Sequence, residues 1–127
     1  MIEPRRIITV CSQGLCRSVA LADVLKLHFE PVDVLPIGVN GNSRETLHML
    51  YDWAHCVIAM HQPVLDIIER RVKRWIGDNP FPIPHYLCDV GPDSYHNPKH
   101  PQLIDRVWRW AREHSEVLGI TEHTRKI

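Results

Sequence analysis

Eight residues near the amino terminus, Cys11-Ser12-Gln13-Gly14-Leu15-Cys16-Arg17-Ser18, place a thiol, an arginine six positions on and a hydroxyl directly after it. Between a strand and a helix, such a loop can wrap a phosphate with successive backbone N–H groups and present it to a helix N-terminus. Gly14 supplies the positive φ that a tight cradle needs. Arg17 can hold two phosphate oxygens in a planar fork, which a lysine matches poorly. The same amides, the helix dipole and Arg17 would depress the pKa of Cys11 and favour the nucleophilic thiolate. Ser18 could donate its hydroxyl to that thiolate. Spacing alone is a weak signal, since Cys-x5-Arg would arise by chance in roughly one such chain in three. The bland alternative is a buried strand-end cysteine with a surface arginine at a helix start. What favours the chemical reading is the setting: strand before, glycine within, Arg-Ser at the end, helix after.

The elements that would position this loop follow from hydrophobic periodicity. Arg5 to Val10 reads as a first strand and Ser18 to Phe29 as a helix with Leu21, Val24, Leu25 and Phe29 on one side. Val32 to Val39 reads as a second strand, shortened or bent by Pro36. The turn residues Gly38 to Asn42 form a loop, and Ser43 is a candidate N-cap for a helix through Trp53. Cys56 to Met60 is a nearly continuous apolar run, as suits a parallel strand buried on both faces. Pro63 fits the first turn of a helix ending near Ile76. His85 to Asp89 is a short fourth strand, Gly91 to Pro101 a polar loop, and Gln102 to Leu118 a last helix. Four βα units predict an α/β fold of three layers, a four-stranded parallel sheet with helices on both faces. Ligands in such sheets bind beyond the carboxyl ends of the strands, which points to the loops starting at Cys11, Gly38, His61 and Asp89.

In these features the chain resembles the low-molecular-weight protein tyrosine phosphatases, and within them a bacterial branch of predicted tyrosine phosphatases with a shortened acid loop. That family carries Cys-x-Gly-Asn-x-Cys-Arg-Ser after its first strand. Cys11, Cys16, Arg17 and Ser18 match in register. The family's Gly-Asn is Gln13-Gly14 here, and its proline after the serine is Val19. His61 stands where the family has an Asp after Ala-Met. The resemblance implies a phosphotyrosine phosphatase I-like fold, residues 1–127 as a single phosphatase-like domain, and hydrolysis of a phosphomonoester through a phosphocysteine on Cys11. It also implies that Ser12, Gln13, Gly14, Leu15, Cys16 and Ser18 line the phosphate. Cys16 would permit a reversible disulfide with Cys11; otherwise it is a small buried side chain.

Such a phosphatase needs an acid to protonate the leaving oxygen, and the same group, once ionised, can activate water. The family supplies an Asp followed by aromatic residues from a late loop. Here Asp93-Ser94-Tyr95 is the better match, so Asp93 is the expected acid and Tyr95 a candidate wall for an aromatic phosphoester. Tyr95 equally fits a role closing the core beneath the loop. Asp89 is the alternative acid; at the strand end it could instead cap the loop or hold Arg17. Either Asp also fits a solvated turn beside Gly91-Pro92.

The remaining chemistry is plainer. Fifteen Lys and Arg balance fifteen Asp and Glu, which argues against nucleic acid or an anionic membrane as main partner. The expected partner is a phosphorylated substrate, a phosphotyrosine protein or a small phosphomonoester. The N-terminal apolar run is too short for a signal peptide or a span, and we expect a cytoplasmic protein with reduced thiols. Cys56 reads as core, and Cys88 as core or as a redox partner. His85, His96 and His100 with Cys88 match no standard zinc spacing, so neither a metal nor a cofactor is expected. Arg70, Arg71, Lys73 and Arg74 read as a solvated helix face or a docking face for an anionic partner. Three other functions compete: a thiol-dependent arsenate reductase, kept alive by Cys88; a phosphocysteine carrier, opposed by Arg17; and a phosphate-binding module without catalysis.

Overall fold

The computed structural model describes residues 3–40, 43–92 and 94–123. β1 (Arg5–Cys11) leads into α1 (Arg17–His28), β2 (Phe29–Glu30) and β3 (Val32–Gly38). Next come α2 (Arg44–Trp53), β4 (Cys56–Ala59), α3 (Gln62–Ile76), β5 (His85–Leu87), α4 (Pro101–Leu118) and β6 (Thr121–Glu122). β3, β1, β4 and β5 form, in that order, one parallel sheet. The expected α/β architecture is therefore present.

Two apolar layers flank the sheet, and β1 feeds both because side chains alternate along a strand. Ile7 and Cys11 join Leu21, Leu25, Leu103 and Val107 on the α1–α4 side. Ile8 and Val10 join Leu47, Val64, Ile68 and Val72 on the α2–α3 side. Ile7, Ile8 and Val10 are fully buried, so β1 is fixed from both faces and its carboxyl end is a rigid mount. The expected caps are in place. The Ser43 hydroxyl accepts from Thr46 N at 3.1 Å, and Pro63 lies in the first turn of α3; Pro101, expected in the loop, instead opens α4.

Most boundaries fall within a residue of expectation, and three features differ more. Pro36 neither shortens nor bends its strand: β3 runs unbroken beside β1, with Pro36 opposite Thr9. β3 is an edge strand, where a missing N–H can face outward at no cost to the ladder. Phe29 leaves the helix and pairs with Glu122 in a two-stranded antiparallel ribbon formed by β2 and β6. The fourth sheet strand stops at Leu87, although Cys88 N and Val90 N still bond Ala59 O and Met60 O. No helix among the described residues is long and apolar enough to cross a membrane.

Candidate active site

The sheet delivers Cys11 as the last residue of β1, paired with Gly38 of β3. Beyond it the chain folds back, so that Gly14 N lies 3.2 Å from Cys11 Sγ. The Ser18 hydroxyl approaches the same sulfur to 3.1 Å. Burial pushes the Cys11 thiol up, but the Ser18 hydroxyl and the amides of Ser18, Gly14 and Cys16 together hold it below its ordinary value. The result is a thiolate-favouring cysteine that is itself only 2% exposed. No acidic residue stands in the first turn of α1, and its cap position is Cys16 rather than a Ser, Thr, Asp or Asn. That helix end is thus left to attract an anion.

Gly14 has φ 75°, as the cradle requires. Space constrains it further, because a Cβ there would stand 2.6 Å from Gly38 N. The contact is mutual, since a Cβ on Gly38 would meet Gly14 N at 2.6 Å and the Gln13 carbonyl closer still. Val39 N bonds Cys11 O at 3.0 Å and Asn40 N bonds Ser12 O at 2.9 Å, continuing the β1–β3 ladder into the loop. The loop is therefore braced backbone against backbone by the end of β3. In the related pattern an asparagine side chain stands at the position of Gly14. Gln13 and Leu15 are exposed on the outer side of the loop.

Arg17 is 2% exposed, a charge almost fully withdrawn from water. Its guanidinium donates to Gly91 O at 2.8 Å and to the Ser12 hydroxyl at 3.1 Å. Its Nε has no hydrogen-bond partner, and no carboxylate among the described residues pairs with it. A buried guanidinium with an unsatisfied Nε–H carries a desolvation cost that a bound anion would offset. The Thr9 hydroxyl donates to Ser18 O at 2.8 Å, tying β1 to the first turn of α1 beneath the sulfur.

The late loop approaches from the β5 side. Asp89 is exposed and its carboxylate accepts from Gly91 N at 3.0 Å, closing the turn whose carbonyl receives Arg17. Asp89 thus caps the loop and holds Arg17 at one remove. Asp93 lies outside the described residues. The Tyr95 hydroxyl donates to Val90 O at 3.0 Å and accepts from Arg106 at 2.9 Å, while its ring packs on the α1–α4 core and meets His100 edge-on. That is the geometry of the core-closing role. Cys88 and Cys56 lie 1% exposed in the core; burial pushes the Cys56 thiol up to about 11, and burial together with Asp89 pushes Cys88 higher. A cleft of about 290 Å³ opens beside the loop, lined by Asp89, Val90, Arg106, Arg109 and Trp110 among others, but neither Cys11 nor Arg17 reaches it. Among the described residues no cluster of His, Cys, Asp and Glu is arranged to hold a metal ion.

Thr9 was not anticipated as part of the site, and Gly38 and Gly91 were anticipated only as members of the loops that follow β3 and β5, not for the contacts they make. Thr9 carried one signal, a polar residue in the apolar run Ile7-Ile8-Thr9-Val10. Gly38 and Gly91 read as turn residues within those loops, because their partners lie far off in sequence.

No family model matches the chain, and no curated protein matches it. Among solved structures it is similar to YwlE arginine phosphatase from Geobacillus stearothermophilus, with a TM-score of 0.53 and 20% identity, over 97% of this chain and 100% of that one. The likeness extends over both whole chains, and at this identity it speaks for architecture: the chain has the low-molecular-weight tyrosine phosphatase fold that its Cys11–Ser18 loop led us to expect.

Proposed function

We propose that residues 1–127 form a single phosphatase-like domain, a cysteine-dependent phosphatase of the low-molecular-weight tyrosine phosphatase type. One observation carries the reading: Arg17, buried with its Nε unpartnered, stands in the same short loop as a cysteine whose thiolate is favoured. A buried cation and a loop of amides need an anion, and a nucleophile beside them needs that anion to be an electrophile. A phosphoryl group is both.

In the proposed reaction the Cys11 thiolate attacks phosphorus and an S–P bond forms as the ester P–O bond breaks. The Arg17 Nε and the amides of residues 12–17 hold the equatorial oxygens where charge develops. Asp93 gives its proton to the leaving oxygen, then takes one from the water that cleaves the S–P bond. Inorganic phosphate departs and the Cys11 thiolate returns, stabilised by the Ser18 hydroxyl. Asp89 is the less suitable acid because its carboxylate is engaged in the Gly91 turn. The substrate is a phosphotyrosine protein or a small phosphomonoester.

Cys88 gives the arsenate reductase alternative little support, since it is buried and its thiol is held well above the neutral range. The test is hydrolysis of para-nitrophenyl phosphate by the purified protein and by its Cys11→Ser variant. Turnover by the native protein and none by the variant is the expected result. Equal turnover by both would remove Cys11 as nucleophile, and phosphate binding without turnover by either would favour the binding-module reading.

A further inference from the structure

Three arginines on α3 form a stripe that the reaction does not use. Arg70, Arg71 and Arg74, with Ile67, recur at helical spacing and line a surface groove of about 320 Å³. The acids of the same helix are occupied elsewhere. Glu69 pairs with His85 at 2.9 Å, and Asp66 accepts from the Gln62 amide at 2.8 Å. Among the described residues no carboxylate forms an ion pair with Arg70, Arg71 or Arg74. In a chain whose charges balance overall, this is a concentrated positive field.

The groove also touches the rim of the candidate site. Arg71 donates to Val39 O at 2.7 Å, Val39 N bonds Cys11 O, and Asn40 N bonds Ser12 O. One residue of β3–α2 connection therefore separates the guanidinium from the backbone of the phosphate loop. At about 3.3 Å per residue, an extended peptide with its phosphorylated side chain over Cys11 would need only a few residues to arrive there.

We propose that the Arg70–Arg71–Arg74 groove docks acidic residues that flank the phosphorylated residue of a protein substrate. The inference rests on the phosphatase reading and narrows it to phosphoproteins with acidic sequence around the phosphate. Charge complementarity selects the partner class. An exposed aromatic for stacking bases is not part of the groove, since Trp75 of the same helix stacks on His48 at 4.2 Å.

The test uses two phosphotyrosine peptides, one with Asp and Glu on both sides of the phosphotyrosine and one with Ser and Ala there, with para-nitrophenyl phosphate as reference. The native protein should prefer the acidic peptide by roughly five- to tenfold in kcat/KM, the scale of two or three exposed ion pairs. The preference should shrink in 0.5 M salt. In R70Q/R74Q, two exposed positions, the ratio of acidic to neutral peptide should fall to about one. Turnover of para-nitrophenyl phosphate without any peptide preference would overturn the docking groove and leave the phosphatase reading intact. An undiminished preference in R70Q/R74Q would overturn it as well. Inhibition by RNA but not by an unphosphorylated acidic peptide would reassign the groove to nucleic acid. Absence of turnover on the reference ester would instead count against the phosphatase reading itself.

Discussion

Replacing Gly38 by alanine should disable the phosphate loop from the outside. Gly38 contributes no side chain and its backbone is not left-handed, so space alone decides the outcome. The new Cβ would stand 2.6 Å from Gly14 N and closer to the Gln13 carbonyl, both of them backbone that cannot rotate away. The Gly14 contact must open by about 0.8 Å to reach ordinary contact at 3.4 Å. Directed away from the sulfur, that displacement would stretch the 3.2 Å approach of Gly14 N to Cys11 Sγ to about 4.0 Å, the outer limit for a sulfur acceptor. Overpacking of this kind costs about 1–3 kcal/mol, which in a chain of this length lowers Tm by roughly 4–12 °C. A shift near 1 Å in a catalytic group costs about 100-fold in rate. Losing one amide from Cys11 should also raise its pKa. The assays are thermal unfolding, kcat/KM on para-nitrophenyl phosphate, and the pH dependence of iodoacetamide alkylation. Gly77→Ala is the control: its φ of 64° strains an alanine, but nothing lies within 4 Å of the new methyl, so only stability should fall, by about 1 kcal/mol. A G38A protein with kcat/KM within twofold of native and an unchanged alkylation midpoint would refute the bracing of the loop by β3.

Arg17→Lys keeps the charge but loses the planar guanidinium that reaches Gly91 O, the Ser12 hydroxyl and, through Nε, the phosphate, so kcat/KM should drop by about 100-fold or more and phosphate inhibition should weaken; near-native kinetics would make Arg17 a merely structural cation. Ser18→Ala removes the side-chain hydrogen bond that helps hold Cys11 below its ordinary pKa. The thiolate should then persist less far toward acid pH, and the alkylation midpoint should move up; a midpoint that stays or falls contradicts the role of Ser18. Asp93→Asn should slow a phenyl or alkyl phosphate far more than para-nitrophenyl phosphate and flatten the basic limb of the pH profile, whereas Asp89→Asn should loosen the Gly91 turn without leaving-group dependence. The reverse pattern would exchange the two roles.

The part of this protein legible in its sequence is what local chemistry dictates. Cys11 to Ser18 announces a strand–loop–helix anion site because each residue type acts within its own turn, and Ser43 and Pro63 announce helix starts for the same reason. The apolar run from Cys56 to Met60 similarly suits a buried parallel strand, and β4 occupies Cys56–Ala59 of it. What stayed hidden depends on contacts between distant segments. Gly38 looked like half of a turn, yet its lack of a side chain serves Gly14, brought beside it by strand pairing. Pro36 suggested a shortened or bent strand because nothing local reveals that β3 is an edge. Phe29–Glu30 and Thr121–Glu122 are too short to show any period, and only their pairing makes them strands. Tyr95 fits two roles in the sequence, and the placement of its hydroxyl between Val90 O and Arg106 depends on segments that the local sequence does not bring together.

The most direct test of the central claim is to trap the covalent intermediate. The protein is mixed with para-nitrophenyl phosphate, quenched during turnover, digested under conditions that preserve an S–P bond, and mapped by mass spectrometry. Phosphate on the Cys11 peptide during turnover, and none in Cys11→Ser, is the predicted result. Sustained hydrolysis with Cys11 unmodified throughout, or with the phosphate on another residue, would contradict it.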